Sequence, residues 1–181
     1  MADTTKLGQF FDIANSGKLY KASVSGVTVP VIASGLVSVF TLNNPVSSTV
    51  NLVPVFFEVG IVLATTVVNA VNLYGQFGLG STTAALASVT AGTAVQCKFN
   101  AAAANVGQFL TAATHTGTPT RIETLATFGA TSAAIAAPIL KYMHGSLILP
   151  PGSAVSVAMS TGASTASGLA LGVCWAEVAI N

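Results

Sequence analysis

Charged residues are scarce in this chain, and their scarcity limits the folds and functions open to it. They make up 6% of the 181 residues, against roughly 25% in an average soluble domain, and none occurs between Tyr142 and Ala176. The hydrophobic content of 52% excludes a disordered chain, because disordered sequences are poor in apolar residues and rich in charge. The net charge of +1 provides neither a basic surface for nucleic acid nor an acidic field for cations.

Apolar residues alternate with small polar residues along much of the chain, which is the pattern of half-buried β-strands. Turn signals separate the runs: Asn43-Asn44-Pro45 follows one of them, and Pro150-Pro151-Gly152 lies between two others. The sequence therefore predicts an all-β fold, a two-sheet antiparallel sandwich that is jelly-roll-like, with about eight strands. The predicted strand regions are residues 24–29, 35–45, 50–63, 66–78, 94–100, 146–149, 153–160 and 168–180.

Three stretches between these runs are dominated by small residues and fit the alternation poorly. They span residues 81–93, 101–120 and 124–140. Four consecutive alanines favour a helix by propensity, but nearby glycine and proline residues limit its length. We expect long Ala/Gly/Thr-rich loops in these stretches, with at most one short helix.

The charges that do occur are concentrated at the start of the chain. Five of the eleven lie within the first 21 residues, which gives a change in composition near residue 22. We therefore divide the chain into an N-terminal arm, residues 1–21, and a single β-sandwich domain, residues 22–181. Phe10, Phe11 and Ile13 form a short apolar patch on the arm and are the candidate contacts with a neighbouring subunit. An arm that is simply frayed is the alternative.

The mean hydropathy of +0.75 raises the question of a membrane protein. The most apolar stretch, residues 60–80, contains two Asn and one Gln, and no Lys or Arg occurs between Lys21 and Lys98. A spanning helix needs about 20 predominantly apolar residues, usually with basic residues beside it. We expect no membrane span. We also expect no secretory signal peptide, because Asp3 comes early and no long apolar run follows it.

No group of residues has the spacing of a catalytic or metal site. A nucleophile needs a base within hydrogen-bonding reach and a group that orients the base, and the two histidines, His115 and His144, have no acid at motif spacing. Nothing in the sequence brings together two of the carboxylates of the body, Glu58, Glu123 and Glu177. The sequence thus predicts a protein that is not an enzyme, with no catalytic residue, no metal site and no cofactor.

The two cysteines, Cys97 and Cys174, fit no metal-binding spacing. A disulfide between them stays open as an alternative, but without an export signal two free thiols are the favoured interpretation. The glycines of residues 75–80 follow the order G-x-x-G-x-G, which is not the dinucleotide-binding order, and we interpret them as a turn.

A monomeric sandwich of this composition would leave its faces and edges unprotected. Soluble β-proteins guard exposed strand edges with Lys, Pro or inward charges, and the body, residues 22–181, has two lysines. A near-neutral surface lacks the self-repulsion that keeps copies apart, and burying small neutral side chains costs little desolvation. We therefore expect a building block of a symmetric or helical assembly.

Three segments carry a resemblance to a known class of proteins. The run "LNNPVSSTVNLVPVFFEV" is followed late in the chain by "HGSLILPPGSAVSV" and by a closing "GLALGVCWAEV". This arrangement resembles that of small jelly-roll structural proteins of tailed bacteriophage particles, of the decoration, fibre or appendage type. The resemblance covers residues 35–75 and 140–180, and it implies a non-enzymatic virion component that is often trimeric.

The leading expectation is a non-enzymatic, self-assembling structural protein located in a virus particle. Its partners would be copies of itself, as a trimer or a larger or helical assembly, and other virion proteins, with no nucleic acid. One alternative is an extracellular filament subunit that polymerises by strand exchange through the N-terminal arm. Another is a carbohydrate-binding β-sandwich module, for which Tyr74, Tyr142 and Trp175 are the aromatic residues at hand.

Overall fold

The computed structural model describes residues 11–28, 40–63, 68–76, 86–87, 90–91, 94–97, 105–111, 114–115, 120–127, 139–161 and 168–180. Apart from a helical segment over residues 11–15, the regular structure in these residues is β. The strands are β1 (Leu19–Thr28), β2 (Phe40–Asn44), β3 (Val50–Leu63), β4 (Val68–Gln76), β5 (Leu86–Ala87), β6 (Thr90–Ala91), β7 (Ala94–Gln96), β8 (Gln108–Thr111), β9 (Thr114–His115), β10 (Thr120–Thr127), β11 (Ile139–Tyr142), β12 (Ser153–Thr161) and β13 (Gly168–Ala179).

Two antiparallel sheets form a sandwich, and the order of their strands is that of a jelly roll. The five-stranded sheet has the order β11-β3-β13-β1-β7 and the six-stranded sheet the order β10-β4-β12-β2-β8-β6, while β5 and β9 form a separate pair. The first four strands pair with the last four in reverse order: β1 with β13, β2 with β12, β3 with β11 and β4 with β10. Pairing of β13 with β3 and of β12 with β4 completes the double Greek key of a jelly roll. The predicted fold class is confirmed.

The chain between β4 and β10 widens both sheets beyond the eight strands of the jelly roll. β7 pairs with residues 20–22 of β1, while β8 and then β6 extend the other sheet beyond β2. β8 and β10 lie in stretches for which the sequence predicts loops, so that part of the expectation is corrected. Strand preference depends strongly on context, and pairing with β2 and β4 decides the conformation of these Thr- and Ala-containing segments.

The strand predicted at residues 146–149 lies a few residues earlier in the structure. There β11 forms the edge strand of the five-stranded sheet. Leu149 forms an isolated bridge with Leu52, with N–O distances of 3.0 and 2.8 Å. Pro150 and Pro151 follow it, and neither has an N–H group that could extend the pairing. Residues 139–142 of β11 pair with β3 instead.

The core lies between the two sheets and is filled by side chains that point inward from both. On β13, Leu171, Val173 and Trp175 point inward and are at most 2% exposed, as the two-residue period of a strand requires. The rings of Phe40, from the six-stranded sheet, and Phe57, from the five-stranded sheet, lie 6.0 Å apart between centres. Full burial of one such side chain contributes roughly 1.5–3 kcal/mol, so this core supplies much of the stability.

The most apolar stretch of the sequence, residues 60–80, contributes the end of β3 and the whole of β4 in its described residues. β4 pairs with β10 on one side and with β12 on the other, so the sheet satisfies its backbone hydrogen bonds. In the part of the chain that the structure describes, no helix is long and apolar enough to cross a membrane.

Asn44 joins two turns of the sandwich that are far apart in the sequence. It is fully buried, and its side-chain amide donates hydrogen bonds to the carbonyl oxygens of Val50 and Leu149, each at 2.8 Å. The main-chain carbonyl oxygen of Asn44 accepts a hydrogen bond from the N–H of Gly152 at 2.9 Å. The Asn-Pro and Pro-Pro-Gly segments that carry the resemblance are thus held together at one corner of the sandwich.

Replacing Asn44 by alanine should lower the free energy of unfolding by roughly 1–3 kcal/mol, because two hydrogen bonds are lost, each of which contributes roughly 0.5–1.5 kcal/mol. Chemical denaturation measures this change, and Asn43→Ala is the matched control. Asn43 is partly exposed and donates to the side chain of Gln108 at 3.0 Å, so its removal should change stability by at most ~0.5 kcal/mol. Equal effects of the two substitutions would contradict the role assigned to Asn44.

Candidate interaction surface

The five-stranded sheet has one side that faces the core and another, its outer face, that carries a second apolar cluster. Cys174 and Ala176 alternate with the core residues of β13, so they point to the outer face. They are buried there together with Leu19 and Val55, and the partly buried Phe56 packs against them. The outer face is therefore apolar at its centre, which is unusual for a sheet surface directed away from the core.

The helical segment of residues 11–15 covers part of this outer face. Ile13 and Ala14 pack against the apolar cluster of their own chain. Phe11 is 70% exposed, and Phe10 lies outside the described residues. β1 begins at Leu19, so the boundary placed near residue 22 falls inside a strand of the core. The contact of Phe10, Phe11 and Ile13 with a neighbouring subunit stays a prediction.

Large apolar side chains are exposed on the same outer face. Leu140 and Tyr142 of β11 are 50% and 51% exposed, and Ile148, which lies between two core leucines, is 53% exposed. Val178 and Val95 lie two residues from members of the outer cluster, which places them on the same side, and they are 42% and 45% exposed. Monomeric proteins rarely expose contiguous apolar patches larger than a few hundred Å², so the outer face has the character of an interaction surface.

The opposite surface of the sandwich, the outer side of the six-stranded sheet, differs at the centre of the sheet, where β2 and β12 pair. Thr41, Ser156 and Ala158 alternate with core residues and point away from the core, yet they are at most 1% exposed. The hydroxyl groups of Thr41 and Ser156 are hydrogen-bonded to each other at 2.6 Å. Among the described residues, large apolar side chains are therefore presented by the outer face of the five-stranded sheet rather than by its counterpart.

The charged groups of the outer face neutralise each other. The ammonium group of Lys21 on β1 lies 3.4 Å from a carboxylate oxygen of Glu58 on β3. The pair reaches across β13 at Gly172, where an added Cβ atom would lie 3.2 Å from that carboxylate. Both side chains are about a third to a half exposed, so the pair contributes at most about 1 kcal/mol to stability. Its main effect is to match the two opposite charges that β1 and β3 place on the face.

A short row of aromatic rings continues the outer face beside this pair. The ring of Phe56 meets that of Tyr142 edge-on, with centres 5.9 Å apart, and Tyr142 stacks with His144 at 5.8 Å. Of the three aromatic residues considered for sugar binding, Trp175 is fully buried in the core. Tyr74 is partly buried, which leaves Tyr142 as the half-exposed member of the three.

Glu177 is a buried carboxylate that the sequence pattern does not distinguish from the other acids. It is 6% exposed, and one of its oxygens accepts hydrogen bonds from the N–H groups of Val106 and Gly107, both at 2.8 Å. The indole N–H of Trp175 lies 3.4 Å from the same oxygen. A buried carboxylate requires such donors, and these contacts tie the segment before β8 to the end of β13.

The surroundings of Glu177 are tightly packed. An added Cβ atom at Gly107 would lie 2.8 Å from the indole nitrogen of Trp175 and 2.9 Å from the side chain of Leu52. Tyr20 stacks on Trp175 with ring centres 5.8 Å apart. Burial and the nearby negative charge of Glu177 raise the pKa of the Tyr20 hydroxyl. In the sequence, this site is visible only as an acid two residues after a tryptophan. That pattern does not predict hydrogen bonds to residues about seventy positions earlier in the chain.

The remaining ionisable groups of the described residues form no catalytic arrangement. Glu123 pairs with Lys141, which links β10 at the edge of one sheet to β11 at the edge of the other. His144 is exposed, with a φ of 50° in the turn after β11, and His115 lies in β9. No three His, Cys, Asp or Glu residues in the described ranges are placed to hold a metal ion. Gly75, interpreted as the start of a turn, lies within β4.

Cys97 and Cys174 are free thiols that approach each other on the outer face. Cys97 directly follows β7 and is hydrogen-bonded to Leu19 of β1, and β1 separates it from β13, which puts the two backbones roughly 10 Å apart, whereas a disulfide tolerates at most ~7 Å between Cα atoms. Burial raises the pKa of Cys97, and burial together with the neighbouring Cys97 raises the pKa of Cys174 to about 12. Both groups are thiols rather than thiolates at neutral pH.

Replacing Glu177 by alanine should destabilise the fold by roughly 2–4 kcal/mol, because the buried N–H group of Gly107 and the partly buried N–H group of Val106 lose their acceptor. The intrinsic fluorescence of Trp175 should change as well, since the indole loses a polar neighbour. Denaturant unfolding followed by fluorescence measures both effects. Glu123→Ala is the control, because Glu123 belongs to a partly exposed pair that is worth at most ~1 kcal/mol. A Glu177 variant as stable as this control would contradict the assigned contacts.

Alkylation by a maleimide at pH 8 should be slow at both cysteines of the native protein, and slower at Cys174 than at Cys97. The thiolate is the reactive form, and a raised pKa lowers its fraction at any given pH. Cys174 is also 4% exposed, so it should react mainly after unfolding. Mass spectrometry of the labelled peptides, with and without denaturant, measures the order. Faster labelling of Cys174 than of Cys97 in the native protein would show that the packing around β13 is wrong.

No protein-family model, no curated protein and no solved structure matches this chain.

Proposed function

We propose that this chain is a non-enzymatic, self-assembling structural protein of a virus particle, with copies of itself as its first partner. The observation that carries the proposal is a jelly-roll strand order combined with an exposed, apolar sheet face of no net charge. Jelly rolls occur in viral capsid proteins, in lectins and in cupins, and a fold alone does not determine a function. The surface supports self-assembly, and the resemblance to tailed-phage proteins supports the choice of a virion component.

The physical support for self-assembly is that little opposes the approach of two copies. A net charge of +1 produces weak repulsion between subunits. Burial of apolar surface contributes roughly 25 cal/mol per Å², and the charges of Lys21 and Glu58 on the outer face are already matched within the subunit. Association would thus remove apolar surface from water without leaving an unpaired charge in the interface.

The assignment to a virion, of the decoration, fibre or appendage type, rests on the resemblance to tailed-phage proteins. Two of the three segments that carry it meet at the buried side chain of Asn44, through hydrogen bonds to Val50 and Leu149. A shared corner of this kind supports treating the separate segments as parts of one structural unit. Other virion proteins are then the second class of partner.

The two alternatives receive less support. Strand exchange needs an extended arm, but residues 11–15 are helical and lie on their own sheet. β1 is also flanked by β13 and β7 over residues 20–22. A sugar-binding face needs exposed aromatic rings, and the tryptophan that would be the strongest candidate, Trp175, is fully buried.

The proposal predicts a discrete homo-oligomer when the native mass of the purified chain is measured at two concentrations. Negative-stain images of the same samples show whether the particles are closed. A monomer at both concentrations would overturn the proposal, and glycan binding by wild type and Tyr142→Ala would then be measured. Long filaments would favour the filament alternative, and removal of residues 1–10, which precede the first described residue, would test whether polymerisation needs the arm.

A further inference from the structure

We propose that two copies of this chain bind each other through the outer face of the five-stranded sheet, with the same face contributed by each copy. This inference rests on the proposed function, because it assigns the self-association to one surface. It goes beyond that function by naming the contact and its symmetry.

The distribution of exposed apolar side chains supports this choice of surface. Nine large apolar side chains of the described residues are exposed. Two of them, Val46 and Ile122, lie in the turn after β2 and on β10. The other seven belong to the outer face, to the helical segment that lies on it, or to the end of β13 that borders it: Phe11, Val95, Leu140, Tyr142, Ile148, Val178 and Ile180.

The same distribution indicates that the partner is the equivalent face of a second copy. Among the described residues, no other surface of the chain offers an apolar area of comparable extent. An apolar face is best covered by another apolar face, and in a second copy that is again the outer face. Contact between identical faces is isologous, and it is related by a two-fold axis.

The charges of the face are compatible with such self-pairing. Lys21 and Glu58 place one positive and one negative group on it, 3.4 Å apart. A copy turned by a two-fold axis presents the same two charges, so neither sign accumulates at the contact. A face that carried a single sign of charge would repel its own copy.

The size of the face is also sufficient for a stable contact. Its long strands, β3, β13 and β1, have 14, 12 and 10 residues. At ~3.3 Å per residue and ~4.8 Å between five strands, the face measures roughly 35 by 20 Å. Roughly 700 Å² on each copy, in which the helical segment of residues 11–15 and its exposed Phe11 take the place of the sheet that the segment covers, is close to the ~800 Å² that each partner contributes to a standard interface.

The test introduces one negative charge at the edge of the face, in Ile148→Glu and separately in Val178→Glu. Both side chains are about half exposed in the subunit, so the fold should accept them, while a two-fold contact would bury each added charge, unpaired, against the apolar face of the other copy. Self-association of the full chain, measured by analytical ultracentrifugation and native mass spectrometry, should weaken at least tenfold. Ile122→Glu, at an exposed apolar position on β10, is the matched control and should associate like wild type.

Circular dichroism melting establishes that each variant is folded, and Ile148→Thr and Val178→Thr replace any glutamate variant that is not. The wild-type oligomer should contain an even number of subunits. If wild type associates and the face variants associate equally well, or if the oligomer is a closed ring of odd number, the face assignment is overturned while the proposed function stands. If wild type is monomeric at all concentrations, both fail.

Discussion

The antiparallel pairing of β13 with β3 on one side and with β1 on the other is the interaction on which both surfaces of the five-stranded sheet depend. Because side chains alternate along a strand, this pairing directs Leu171, Val173 and Trp175 into the core and Cys174 and Ala176 to the outer face. The residues of the inner set are large, and those of the outer set are small. The outer face can therefore be covered closely, first by the helical segment of residues 11–15 and, in our proposal, by a second copy.

Strand pairing does not determine where the segments between the strands lie. Two buried polar side chains hold two of these segments in place. Asn44 holds the turn after β2 against the segment that precedes β12, and Glu177 holds the segment before β8 against the end of β13. Such groups contribute modest net stability while they are satisfied, but a buried group that loses its partner is costly. That asymmetry favours one arrangement of the connections over others, since a displaced segment would leave the side-chain NH2 group of Asn44 or the carboxylate of Glu177 without partners in the interior.

Local sequence patterns predicted the long strands and the fold class, because alternation over β3, β4, β12 and β13 is strong enough to be visible without tertiary context. They did not predict β8 and β10, whose Thr and Ala residues are equally compatible with loops. The partners of Glu177 were also out of reach, since they come from a segment about seventy positions earlier in the chain. For the same reason, the sequence did not reveal that Ile13 packs against its own sheet. In each case the missing information is a contact between distant parts of the chain.

The few carboxylates of the sandwich body are matched by partners within the subunit. The five carboxylates of the chain include three in the body, and each of these has a partner within the subunit: Lys21 for Glu58, Lys141 for Glu123, and backbone N–H groups for Glu177. Few charges therefore remain to keep copies apart or to attract a ligand of opposite charge. Electrostatic steering accelerates association between oppositely charged surfaces, and a face with one internally matched pair provides little of it. Association through such a face depends on the apolar area that it removes from water, so it should be slow to form, insensitive to salt and limited by shape.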